Sequence, residues 1–188
     1  MGYYDVASNV EEYLAMAAGH DGRELVARLR RELPEDAEVL ELGMGPGNDL
    51  DLLAESFRVT GSDSSQLFLD RYRQLHPQAD LLRLDARSLD TERRFDAVYS
   101  NKVLQHLTPT ELTRSLARQR DLLRPGGLLL HSLWHGDRVE RHNGLLFVFY
   151  TEASVAERLP DGLVIAACER YDELETGDSL LVVLREPS

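Results

Sequence analysis

Short apolar runs alternate with amphipathic stretches along this chain. The runs predict strands at Glu38–Leu42, Arg58–Ser62, Asp80–Leu84, Asp96–Ser100, Gly127–Trp134, Leu163–Glu169 and Ser179–Arg185. Between them, apolar positions recur at helical spacing. Leu25, Val26, Leu29 and Leu33 mark a helix over Gly22–Leu33 that stops before Pro34. Leu67, Phe68, Tyr72 and Leu75 mark Ser64–Leu75, and Leu112, Leu116 and Leu123 mark Thr110–Leu123, which ends at Arg124-Pro125-Gly126-Gly127. Strands alternating with helices predict an α/β fold built on a mainly parallel sheet. Only the turn-like stretch Leu174–Asp178 separates the last two strands, too little for a crossover helix. They are expected to form an antiparallel hairpin, with one reversed strand near the C-terminus.

Length and charge narrow the picture. The 188 residues, 43% of them hydrophobic, suit one domain over residues 1–188. The formal net charge of −12 argues against a nucleic-acid partner, and the basic runs are only the pairs Arg30-Arg31 and Arg93-Arg94. Cys168 is the single cysteine, so no internal disulfide and no cysteine-cluster metal site is expected. The N-terminal stretch lacks the pattern of a signal peptide, and no run reaches the roughly 20 apolar residues of a membrane span, so a cytoplasmic protein with no membrane partner is expected.

The chemistry begins at Val39-Leu40-Glu41-Leu42-Gly43-Met44-Gly45-Pro46-Gly47-Asn48. An apolar strand runs into three alternate glycines and then a helix, where a ligand can approach the backbone and meet free N–H groups. Asn48 stands where a pyrophosphate-binding Gly-x-Gly-x-x-Gly would place its last glycine, which counts against NAD or FAD. A second strand ends in Asp63-Ser64, and a carboxylate there can accept both hydroxyls of a ribose or cap the following helix. A third ends in Asp85-Ala86, where Asp85 can receive an exocyclic amine or form a turn. The fourth leads through Ser100-Asn101-Lys102 to His106.

In this order the motifs resemble those of class I S-adenosylmethionine-dependent methyltransferases, from about Val39 to Trp134. The resemblance implies a Rossmann-like three-layer sandwich whose seven-stranded, mostly parallel sheet has one antiparallel strand near the C-terminus. It implies S-adenosylmethionine as cofactor and S-adenosylhomocysteine as product. Gly43, Gly45 and Gly47 would line the methionine and ribose portion, and Glu41 would orient the loop or the cofactor's amino group. Asp63 with Ser64 would hold the ribose, Asp85 and Ala86 would meet the adenine, and Asn101 would sit beside the cofactor. The fourth strand lacks the Asn/Asp-Pro-Pro-Tyr of enzymes acting on base or glutamine nitrogens. Lys102, Gln105 and His106 do not offer the carboxylate set of metal-dependent members, so no metal is expected.

The activity so implied is in-line transfer of a methyl group to an O, N or C nucleophile of a small molecule. His106 is the candidate proton acceptor, with packing beside the cofactor as the other reading. His131 and His135 are weaker candidates that solvent exposure would also explain. Residues 1–20, with Tyr3, Tyr4, Asp5 and Tyr13, are expected to form a helical lid over the cofactor. Residues 135–150 are expected to form an acceptor-side connection, within which Leu145–Tyr150 is either pocket wall, an extra strand or core packing. Three other readings stand beside this one: a non-catalytic S-adenosylmethionine-binding regulator, a protein or nucleic-acid methyltransferase, and an NAD-dependent oxidoreductase. The acceptor, pathway and oligomeric state are not legible in the sequence.

Overall fold

The structure, a computed structural model, describes residues 3–17, 19 and 21–187. A 3-10 turn (Tyr3–Asp5) and helix α1 (Ala7–Ala17) come first, followed by α2 (Arg23–Glu32). The alternating part runs β1 (Glu38–Leu42), α3 (Asn48–Ala54), β2 (Arg58–Asp63), α4 (Gln66–Leu75), β3 (Leu81–Arg83) and β4 (Phe95–Asn101). After a 3-10 turn at Leu104–His106 come α5 (Pro109–Asp121), β5 (Leu123–Trp134), β6 (Val139–His142), β7 (Leu145–Val148), α6 (Glu152–Ala156), β8 (Val164–Tyr171) and β9 (Ser179–Arg185). Residues 1, 2, 18 and 20 of the expected lid lie outside the described residues.

One seven-stranded sheet has the order β3-β2-β1-β4-β5-β9-β8. Strands β1 to β5 pair in parallel, and β9 runs antiparallel to both β5 and β8. The expected mostly parallel sheet with one reversed strand is therefore present. The reversed strand does not lie at the sheet's edge: β9 is inserted between β5 and β8.

The strands explain why their runs are apolar at nearly every position. Side chains alternate between faces, and helices cover both. Leu40, Val98, Leu129 and Val182 pack on one side with Leu112 and Leu116 of α5. Val39, Ala97, Leu128, Leu130 and Val183 pack on the other with Leu25, Val26 and Leu29 of α2 and Leu53 of α3. Leu29 is fully buried, and truncating such a leucine costs about 2–5 kcal/mol.

Element boundaries shift where backbone bonding overrides composition. β5 begins at Leu123, earlier than the expected Gly127, because Leu123 pairs with Phe95 before the register slips between Phe95 and Ala97. Helix α5 is fixed at its start by Thr108, whose hydroxyl accepts the Glu111 amide while Glu111 reaches back to the Thr108 amide. The Leu145–Tyr150 stretch resolves mainly as an extra strand. β7 pairs with β6 in a separate hairpin, and buried Val148 joins the core. Its turn is Asn143-Gly144, both left-handed at φ 49° and 83°, as a type I′ hairpin requires. No helix among the described residues is long and apolar enough to cross a membrane.

Candidate active site

β1 pairs with β2 on one side and β4 on the other, so the loops after these strands diverge from a shared edge of the sheet. Such switch points hold ligands in open α/β sheets. The loop after β1 carries Gly43, Gly45 and Gly47 at φ 65°, 50° and 92°, a left-handed region that glycine enters without steric penalty. A methyl group on Gly43 would come within 2.5 Å of Val103, and one on Gly47 within 2.3 Å of the Tyr72 ring. On Gly45 it would meet only Tyr13, at 3.4 Å. Gly45 thus borders the larger of the cavities described below with only an ordinary contact to Tyr13, whereas Gly47 caps α3 against Tyr72 and lines neither of them.

Asp63, at the end of β2, holds this loop. Its carboxylate accepts the Gly45 amide at 3.0 Å and the Ser65 amide at 2.8 Å. Burial pushes the Asp63 carboxyl above its usual range, and the amides of Ser65, Gly45 and Ser64 oppose that shift. Glu41 is 3% exposed and its Oε2 has no hydrogen-bond partner. Burial, reinforced by the charges of Asp49, Asp63 and Asp51, drives its carboxyl well above the ordinary glutamate value. Ser64 is exposed and lines the cleft through a segment whose carbonyl accepts the Arg83 guanidinium.

Asp85 lies beyond β3 and is paired with Arg87 at 2.7 Å, which pulls its carboxyl below the usual range. The Ala86 carbonyl accepts the Ser115 hydroxyl at 2.5 Å. Both residues line the cleft. The Asn101 carbonyl oxygen accepts from Ser132, and its amide donates to Asp49 at 3.0 Å.

Asp49 is a residue that sequence reasoning missed. Its buried carboxylate also accepts the Gly22 amide at 2.6 Å and the Tyr99 hydroxyl at 2.7 Å. It thereby ties the start of α2, the start of α3 and the end of β4 into one knot. In the sequence it reads only as an acid in a helix's first turn. Lys102 was also missed as a site residue, although it is the sole lysine. It is left-handed at φ 54°. Its ammonium donates to the Leu133 carbonyl at 3.0 Å and the Ser179 hydroxyl at 2.7 Å, and pairs with Glu173 at 3.0 Å. It also lies 3.8 Å from the Trp134 ring centre.

Two cavities of about 540 and 340 Å3 open here. The larger runs past Gly45, Asp63, Ser64, Asp85 and Ala86, and the smaller past Glu41, Asp49, Gln105, Trp134, Phe147 and Glu173. Gly43, Asn101, Lys102 and His106 border both. Tyr4 and Tyr13 also border both, and they form an aromatic cluster with Phe68 whose ring centres lie 5.3–5.7 Å apart. The Ser65 hydroxyl donates to the Tyr4 carbonyl at 2.7 Å, fixing the N-terminal segment to the cleft.

The histidines separate cleanly. The His106 Nδ1 lies 2.7 Å from the Leu146 carbonyl, and its ring meets Phe147 edge-on. A carbonyl only accepts, so Nδ1 carries the hydrogen and the neutral ring keeps a basic Nε2. Burial lowers the His106 pKa, with the Leu146 carbonyl opposing. His131, by contrast, is 2% exposed within β5 and bonded to Ser100 at 2.8 Å. Burial alone takes its pKa down to about 3, and it borders neither cavity. It is not a solvent-facing residue. His135 is half-buried beyond β5 and likewise borders neither cavity.

The comparisons with known proteins agree with this architecture. A family model described as "Methyltransferase domain" matches residues 39–127. The trans-aconitate 2-methyltransferase of Variovorax paradoxus is 35% identical over 139 residues, covering 72% of this chain and 52% of that protein. That of Azoarcus sp. is 39% identical over 111 residues, 57% of this chain and 42% of that protein. The chain thus spans about half the length of these curated relatives. Among solved structures, Burkholderia thailandensis 1,6-didemethyltoxoflavin-N1-methyltransferase, with its substrate and S-adenosylhomocysteine bound, superposes with a TM-score of 0.75. It is 26% identical over 100% of this chain and 92% of that one. An S-adenosylmethionine-dependent methyltransferase of Clostridium acetobutylicum shares the fold at a TM-score of 0.77 with 13% identity, covering 95% of this chain and 99% of that one. With the glycine loop, the Asp63 carboxylate that holds it and the inserted reversed strand all in place, residues 39–127 carry a methyltransferase domain, and the chain is similar to class I S-adenosylmethionine-dependent methyltransferases.

Proposed function

We propose that this chain transfers a methyl group from S-adenosylmethionine to a small-molecule acceptor. The observation that carries the reading is the junction of the two cavities at Gly43, Asn101 and His106. On this reading the larger cavity takes the nucleoside, and the smaller takes the methionine tail and the acceptor. The residues fit the cofactor on two counts. The buried Glu41 Oε2 lacks a donor, which an amino group would supply, and the Gly45 backbone borders the larger cavity with no side chain of its own in the way.

Each residue then has a task. Gly43 and Gly45 let the cofactor approach the main chain; Gly47 shapes the loop by packing on Tyr72. Asp63 sets the loop and, with Ser64, offers the ribose an acceptor. Asp85 and Ala86 border the adenine, and Asn101 holds the methyl end against Asp49. Tyr4 and Tyr13, in the lid formed by the N-terminal segment, exclude water. Residues 135–150 wall the acceptor side, through the backbone carbonyl of Leu146 and the ring of Phe147. His106 accepts the proton that the acceptor releases, through Nε2.

When bound, the sulfonium supplies a methyl carbon already activated for displacement, so positioning carries much of the catalysis. The curated relatives bear the name trans-aconitate 2-methyltransferase, and a small acceptor suits a cavity of about 340 Å3. The test is titration calorimetry with S-adenosylhomocysteine and NAD, followed by incubation of labelled S-adenosylmethionine with trans-aconitate and with metabolite extracts. Binding of NAD but not of the sulfur compound overturns the reading. Binding without transfer to any extract favours a regulator instead.

A further inference from the structure

The smaller cavity is bordered in part by Lys102, His106, Trp134, Phe147, Glu173 and Leu174. Among the described residues bordering this cavity, Lys102 is the only one with a permanent positive charge. An ammonium has three N–H donors. Those of Lys102 meet the Leu133 carbonyl, the Ser179 hydroxyl and the Glu173 carboxylate, and Trp134 lies against it. No donor of this lysine is left for an incoming anion.

Glu173 takes the Lys102 ammonium and the Tyr171 and Ser179 hydroxyls all on Oε2. Its Oε1 takes part in none of these contacts. The other carboxylates of the cavity are committed: Asp21 to Arg23, and Asp49 to Gly22, Tyr99 and Asn101, while Glu41 is buried on the glycine-loop side. The arginines Arg83, Arg87 and Arg141 border the larger cavity instead. A carboxylate entering this cavity would face Glu173 with no free cationic donor to meet it. An N–H group would find the second Glu173 oxygen, and an apolar body would find Trp134 and Phe147.

We infer that the acceptor is a neutral or cationic nitrogen compound with an aromatic or apolar body, and that Glu173 selects it. The inference rests on the methyltransferase reading above. The nitrogen lone pair forms the new C–N bond as the S–CH3 bond breaks, and the electron pair of that bond stays on sulfur. An acceptor that arrives as an ammonium first gives one proton to His106 Nε2.

The test is calorimetry on protein saturated with S-adenosylhomocysteine. Phenethylamine and tryptamine are compared with 3-phenylpropionate and indole-3-propionate, which share their skeletons and differ in the head group. The amines are expected to bind at least about tenfold more tightly than the acids. Glu173→Gln is expected to erase that preference while the affinity for S-adenosylhomocysteine is unchanged. Equal or tighter binding of the acids, no binding by either pair, or a preference that survives Glu173→Gln overturns the inference. If S-adenosylhomocysteine itself does not bind, the methyl-donor reading falls and this one with it. Binding of that compound without the amine preference overturns this inference alone.

Discussion

The carboxylate of Asp63 holds the amide of Gly45 at 3.0 Å, so the end of the second strand sets the shape of the loop after the first. An amide side chain has one acceptor oxygen where Asp63 uses two. Asp63→Asn therefore leaves either the Gly45 or the Ser65 amide without its partner, at about 1–3 kcal/mol. Calorimetry with S-adenosylhomocysteine is expected to show at least about a tenfold loss of affinity. An unchanged dissociation constant would mean that the loop keeps its shape without this acid.

The three loop glycines are not equivalent. Gly47→Ala drives a methyl group into Tyr72 at 2.3 Å in a left-handed backbone, whereas Gly45→Ala meets Tyr13 only at 3.4 Å. Urea unfolding is expected to show Gly47→Ala less stable by about 2 kcal/mol or more. Gly45→Ala loses about 1 kcal/mol, and its larger effect is on cofactor affinity. Equal destabilisation by the two substitutions would contradict this division.

Burial lowers the His106 pKa below its usual 6.5, so Nε2 stays basic as the medium becomes mildly acidic. The rate of methyl transfer, kcat/KM, is expected to hold from pH 8 to below 6.5 and to fall only beyond that, as His106 becomes charged. His106→Gln is expected to lower kcat by about a hundredfold or more without weakening S-adenosylhomocysteine binding. A variant with undiminished kcat would return His106 to a packing role.

His131 ties acidity to stability. Its folded pKa of about 3 lies below the usual 6.5, so between these values the unfolded chain binds a proton that the native state refuses. The native advantage is complete above pH 6.5 and shrinks as the pH falls toward 3, by about 1.4 kcal/mol per unit from this group. Unfolding midpoints of the parent protein and His131→Asn, measured across this window, are expected to converge on acidification. Parallel pH profiles for the two proteins would show that the proton is taken up elsewhere.

The strands and the glycine loop were legible because runs that are apolar at nearly every position have few solutions besides a sheet covered on both faces. The same rule explains a misreading. His131 alternates with leucines, which suggested an exposed position, but both faces of β5 are covered and a polar residue within the run is buried with them. Asn143-Gly144 carried a hairpin signal in plain view, obscured by the irregular pattern around it. Asp49 and the Lys102–Glu173 pair were not legible. The first acts through a backbone amide, which no side-chain pattern marks, and the second joins segments that meet only through the placement of β9.

That placement has a bearing on how the chain is made. Strand β8 leaves the ribosome before β9 yet reaches the sheet only through it, since β9 lies between β8 and β5. Until Ser179–Arg185 emerges, the β5 backbone from Leu128 to Trp134 is an open edge and β8 has nothing to pair with. Ser179, the first residue of that closing strand, is also the one whose hydroxyl fixes Lys102. The nascent protein can therefore assemble the glycine-loop side of the cleft early, whereas the smaller cavity acquires its Lys102 anchor only when the final strand has docked.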